Sequence, residues 1–227
     1  MSEPLQLHRD GPVARLRMTR PEVHNAFDAG LIAGLTAALD DVAADAGVRV
    51  LVLEAEGPSF SAGADLNWMR GMAAASEADN REDSLALARL MRTLDELPKA
   101  TIAAVQGSAF GGGVGLVACC DIAIAARGAK FGLTESKLGL LPAVISPYVI
   151  AAIGLLHDVV NPTALDTAVQ RQIDLLLKAG PIASANAKAL VRDVCAHADG
   201  AKHDADNASL IARLRVSPEG QEGLSAF

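Results

Sequence analysis

The chain has 227 residues, 51% of them apolar, and a formal net charge of -7. That length and apolar fraction suit one principal domain with a buried core and a small helical appendage. No run of Lys or Arg supplies the clustered cations that phosphate backbones require, so nucleic acid is excluded as a main partner.

Val13 to Thr19 alternates apolar and polar residues and predicts a half-buried strand. Asp28 is placed to cap a helix whose apolar stripe runs through Leu31, Leu35, Leu39 and Val42. Val48 to Glu54 predicts a second strand, followed by a Gly/Pro/Ser loop from Gly57 to Ala64. A short helix is expected from Leu66 to Met72, and a longer amphipathic one from Glu82 to Leu97, ended by Pro98. Thr101 to Val105 is a third strand, leading into Gly107 and the cluster Gly111 to Gly113. A short helix then ends near Cys120, and Asp121 to Ala125 returns as a strand. Leu155 to Val160 is strand-like, and from Pro162 onward the pattern is nearly all helical, punctuated by Pro181 and Pro218. These elements predict an α/β core with a C-terminal helical region. No repeat of fixed period is visible, although the successive strand–turn–helix units suit coils of one spiral.

The long uncharged stretch Thr101 to Cys120 contains five glycines, among them Gly107 and Gly111 to Gly113, and is unsuited to a membrane helix. Met1-Ser2-Glu3-Pro4 has no secretory pattern, so a cytoplasmic protein without membrane association is expected. Cys119, Cys120 and Cys195 form neither a disulfide framework nor a CxxC pair and read as buried free thiols. The five histidines show no HExxH-like pairing, and no metal is expected.

Two strands end in loops rich in small residues that feed helices: Ser59 to Leu66, and Gly107 to Leu116. Small residues allow close approach to the main chain, and a helix start leaves N–H groups unpaired. Two such turns converging on one point would make an oxyanion hole; either alone reads equally well as a tight connection. A rival pattern exists, because Gly113 to Ala118 fits the dinucleotide fingerprint GxGxxA with Glu135 about twenty residues on. The strand beginning near Asp121 leaves about two turns of helix, too short for the crossover that this fingerprint needs. Downstream, Phe131 to Pro142 holds Glu135 in mostly apolar company, a setting that suits a general acid or base. The alternative is a solvated Glu paired with Lys137.

Together these segments resemble the crotonase (enoyl-CoA hydratase/isomerase) superfamily. The matching motifs are Phe60 to Leu66, Gly111 to Ile122, Phe131 to Pro142, and Arg20-Pro21-Glu22-Val23-His24-Asn25-Ala26, in the family's order. The resemblance implies a spiral of ββα units over residues 1–160 and a helical oligomerisation region over 161–227, supporting a homotrimer or dimer of trimers. It implies that the N–H groups of Ala64 and Gly112 hold a thioester oxygen. It implies Glu135 as the acid or base, and CoA contacts from Val23, His24, Ala62, Asp65 and Leu66, partly through main chain. CoA is part of the substrate, and no separate cofactor is implied.

The chain departs from the family in two places. A two-acid hydratase carries a glutamate where Gly115 stands, so one carboxylate is missing and the vacated space is expected to admit part of the acyl group. The sequence around Gly111 to Leu116 and Leu141 to Tyr148 is similar to bacterial proteins assigned as methylglutaconyl-CoA or related branched-chain hydratases. A hydratase of a branched or carboxylated enoyl-CoA is therefore expected, with a single-acid delta-isomerase and a catalytically silent CoA-binding scaffold as alternatives. The second departure is at Gly154-Leu155, where the family carries roughly twenty more residues, about two short helices' worth. The expectation is a segment missing there, and a basic, aromatic tail beyond Phe227.

Overall fold

The computed structural model describes residues 3–135, 142–152, 154–196, 210, 213 and 217–225. Among these residues, nine strands form two sheets. In the larger sheet, β1 (Leu5–Asp10) lies antiparallel to β2 (Val13–Met18), and β3 (Val50–Ala55), β5 (Ala100–Val105), β7 (Ile122–Ala126) and β9 (Asp158–Val160) continue it in parallel. The smaller sheet stacks β4 (Ser59–Ser61), β6 (Ser108–Phe110) and β8 (Phe131–Gly132), again in parallel. Each coil gives one long strand to the first sheet and, a few residues on, one short strand to the second. This is the spiral of ββα units that the resemblance implies.

The central strands β3, β5 and β7 are buried on both faces because their side chains alternate between two cores. Leu51, Leu53, Ala103, Val105, Ala123 and Ala125 face α1 (Ala29–Ala44), α3 (Glu77–Asp95) and α4 (Gly112–Ala118). Val50, Val52, Ile102, Ala104 and Ile124 face the opposite way, onto Leu165, Ala168, Val169 and Ile173 of α6 (Leu165–Lys178). Fully burying one such Leu or Ile contributes about 1.5–3 kcal/mol, which fixes the register of the whole stack.

Asp28 caps α1 as expected, its carboxylate accepting from Leu31 N–H at 2.8 Å. Helix α2 (Leu66–Ala73) also falls where expected. Helix α3 begins five residues before the predicted start, because Ser76 and Asp79 form a reciprocal capping box. Its first turn is polar and exposed, so apolar periodicity did not reveal it. Strand β1 was also missed; it is a largely exposed edge, and its only local signal is the turn Asp10-Gly11-Pro12, with Gly11 at φ +51°. The C-terminal region contributes α5 (Ser146–Ala151), α6, α7 (Pro181–Ala196) and α8 (Pro218–Ser225). At the expected junction Gly154 takes φ +76° in open space, while Ile153 lies outside the described residues, as do Lys137 and Leu138.

Candidate active site

The smaller sheet positions the site. Its three strands end side by side, so the chain leaving β4 (Ala62 to Asp65), the chain leaving β6 (Gly111 to Gly113) and the chain leaving β8 (Leu133 to Glu135) emerge along one edge. The two glycine turns touch. Gly63, at φ +84°, lies so near the Phe110 carbonyl that an added β-carbon would sit 2.9 Å from its oxygen. Gly111, at φ +49°, faces both the Gly63 Cα and the Glu135 carboxylate, whose Oε1 would be 3.2 Å from such a β-carbon. Only glycine combines that backbone with that proximity.

The segment Arg20 to Asp28 braces the first turn. Asn25 is fully buried with φ +52°. Its Oδ1 accepts from Arg20 N–H at 2.9 Å, and its Nδ2 donates to the carbonyls of Glu56 and Ser59, both at 2.9 Å. Ser61 Oγ donates to the Asn25 carbonyl. Phe27 then pairs in parallel with Ala64: Phe27 N–H donates to Gly63 O at 2.7 Å, and Asp65 N–H donates to Phe27 O at 2.8 Å. Strand alternation turns the Ala64 N–H away from Phe27, and among the described residues it has no acceptor. Gly112 is the first residue of α4, so its N–H also lacks an intrahelical partner.

Glu135 Oε2 is buried with no hydrogen-bond partner among the described residues. Ala64, Gly112 and Glu135 are thus brought to one place. Val23, His24, Ala62, Asp65 and Leu66 lie along an adjoining edge: Ala62 N–H donates to His24 O at 2.9 Å, and His24 Nδ1 is 3.1 Å from Ser59 Oγ. Leu66 is 59% exposed there. The Asp65 carboxylate caps α2, accepting from the N–H groups of Asn67 and Trp68.

Gly115 does not open a space, contrary to expectation. It is buried, and an added β-carbon would lie 2.5 Å from Ile145 Cγ2 and 3.1 Å from Met91 Sδ. Ile145, itself only 2% exposed, fills the volume that was expected to be vacant. The GxGxxA run lies in the seven-residue α4, with β7 starting at Ile122, as the short-helix argument required. A separate cavity of about 380 Å³ opens beside Arg49, Lys99 and Ile182, apart from every residue of this site. Asn25 and Phe27 received no role from the sequence; a buried Asn at positive φ is invisible until the loop is folded.

Residues 8–159 match the family model described as Enoyl-CoA hydratase/isomerase. The chain belongs to the enoyl-CoA hydratase/isomerase family. A crotonyl-CoA hydratase of Syntrophomonas wolfei is 31% identical over 255 positions, covering 99% of this chain and 95% of the relative. A Thermus thermophilus relative is 39% identical over 144 residues, 63% of this chain but 57% of its own length, so that match spans less than two thirds of it. The crystal structure of an enoyl-CoA hydratase from Shewanella pealeana superposes with a TM-score of 0.96 at 41% identity, covering 99% of this chain and 93% of that one. Among the described residues, no helix is long and apolar enough to cross a membrane.

Proposed function

We propose that this chain hydrates the double bond of an enoyl-CoA thioester, with a branched or carboxylated acyl group preferred to a straight one. The thioester oxygen lies between the Ala64 and Gly112 N–H groups. Water adds to the β-carbon, the electron pair moves to the thioester oxygen, and Glu135 takes the water proton and delivers one to the α-carbon. Each N–H facing the developing oxyanion is worth up to about 3–4 kcal/mol. The observation that carries this reading is the buried Oε2 of Glu135, without a hydrogen-bond partner among the described residues, beside the turn that presents Gly112.

The substrate preference rests on what surrounds Glu135. Asp65 is committed to capping α2, and Gly115 is backed by Ile145 and Met91. Glu135 is therefore the carboxylate of these turns free to move protons, and a carboxylate on the substrate supplies the second polar group that orients water. Val23, His24, Ala62, Asp65 and Leu66 form the edge along which the CoA moiety lies. The catalytic unit is a homotrimer or dimer of trimers, which light scattering of the purified protein measures.

The test is a panel of crotonyl-CoA, a β-methylated enoyl-CoA and methylglutaconyl-CoA, assayed for hydration and for double-bond migration. Higher kcat/KM for the last two supports the reading; rapid hydration of crotonyl-CoA alone contradicts the preference. The single free carboxylate also suits a delta-isomerase, which needs one group to carry a proton between two carbons. Migration without hydration on any substrate selects that alternative.

A further inference from the structure

We propose that Phe27 is a positioning residue that sets the separation and aim of the two N–H donors, an inference that rests on the oxyanion role of Ala64 and Gly112. The two donors come from different coils of the spiral, and Phe27 belongs to neither turn. Yet it contacts both. Its backbone brackets Ala64, donating to Gly63 O at 2.7 Å and accepting from Asp65 N–H at 2.8 Å. Its ring lies against Gly112: a β-carbon there would be 2.7 Å from Phe27 Cε2 and 2.9 Å from Cδ2. The side chain of residue 112 would point into this ring, so the glycine is required by Phe27 itself.

The wedge is held from both sides. Asn25 fixes the chain two residues before it through three side-chain hydrogen bonds. Asp28, immediately after it, caps α1 and pairs with Arg20 at 2.6 Å. Phe27 is 1% exposed, so its ring has little room to yield. A shift of the ring changes the position of Gly112 while the backbone pairing keeps Ala64 in place. The distance between the donors changes, although neither donor is mutated. Displacements near 1 Å in such constellations cost about 10²-fold in rate.

The test uses F27L, G112A and their combination in the full chain. Steady-state kinetics on the best enoyl-CoA of the panel are paired with the infrared carbonyl stretch of bound butyryl-CoA, ¹³C-labelled at the thioester carbon, which has no double bond to hydrate. In the wild type the stretch is expected to shift to lower frequency on binding. F27L is expected to lower kcat by about 10- to 100-fold with KM changed less than about threefold, and to return the stretch toward its solution value. G112A is expected to act in the same way, and the double variant to exceed both single variants in kcat because the smaller side chain accommodates the new β-carbon. If F27L does not fold, F27M, closer in volume, carries the same comparison. A folded F27L with wild-type kcat and carbonyl frequency overturns the proposal, as does a double variant no better than the product of the two single effects. A wild-type complex without the carbonyl shift removes the oxyanion reading, and the positioning role with it.

Discussion

Gly111 faces Glu135: a methyl group on the glycine Cα would lie 3.2 Å from Oε1 and 3.8 Å from Cδ. Gly111 is also the residue immediately before α4, whose first amide is that of Gly112. The proton carrier and one oxyanion donor are therefore placed by the same turn. Charge forming on the thioester oxygen and protons moving at the adjacent carbons are served within one short stretch of backbone. This follows from the stacking of β6 on β8, with Phe110 paired to Gly132.

Gly115→Glu is expected to destabilise the protein and bring no gain in crotonyl-CoA hydration. The new side chain would start at a buried point 2.5 Å from Ile145 Cγ2 and 3.1 Å from Met91 Sδ, both apolar neighbours for a charged group. Overpacking alone costs about 1–3 kcal/mol, read as a lower urea midpoint. Adding Ile145→Ala is expected to restore part of that loss. A single variant as stable as the wild type would show that the pocket behind Gly115 is open.

Asn25→Ala is expected to lower stability by about 2–3 kcal/mol, since the carbonyls of Glu56 and Ser59 and the N–H of Arg20 lose their partner. Alanine also adopts the positive φ of this position poorly. Asn25→Asp is expected to fare little better, because an ionised carboxylate cannot donate to two carbonyls. Equilibrium urea unfolding measures both; a loss below about 0.5 kcal/mol would remove Asn25 as the brace of the first turn.

Cys119 and Cys120 are expected to resist thiol reagents in the native protein. Burial pushes the Cys120 thiol up to about 12, with the neighbouring Asp121 adding to the effect, and burial moves Cys119 in the same direction. Well below pH 9 both states keep these thiols protonated, so they give no pH dependence there. Between pH 9 and about 12 the unfolded chain ionises while the native one does not, so their contribution to stability falls as pH rises. Peptide mapping after alkylation at about pH 8 reads out the peptide that carries them. Labelling of either residue before unfolding would contradict the buried placement.

The fold was legible where burial is two-sided. Val50 to Leu53, Thr101 to Val105 and Ile122 to Ala126 are continuous small and branched apolar runs that announce central parallel strands. The site was legible as three motifs in order, because glycine turns and an acid among apolar residues leave local marks. What stayed hidden depends on long-range contact. Nothing near Gly115 reveals that Ile145, thirty positions on, fills its neighbourhood. Nothing near Gly112 reveals the Phe27 ring, and the Asp65 carboxylate could be assigned to its helix cap only once α2 was formed. The edge strand β1 escaped because its exposed residues carry little hydrophobic pattern.

The central claim is that Glu135 carries the proton in the chemical step. Glu135→Gln is nearly isosteric, keeps the side chain beside Gly111 and leaves both N–H donors in place. Its kcat on the best enoyl-CoA, measured beside the Kd for butyryl-CoA, is the most direct test. The expected result is a fall in kcat of at least about 10²-fold with Kd within about threefold of the wild type. A variant that keeps more than about a tenth of the wild-type kcat would show that another group does this work.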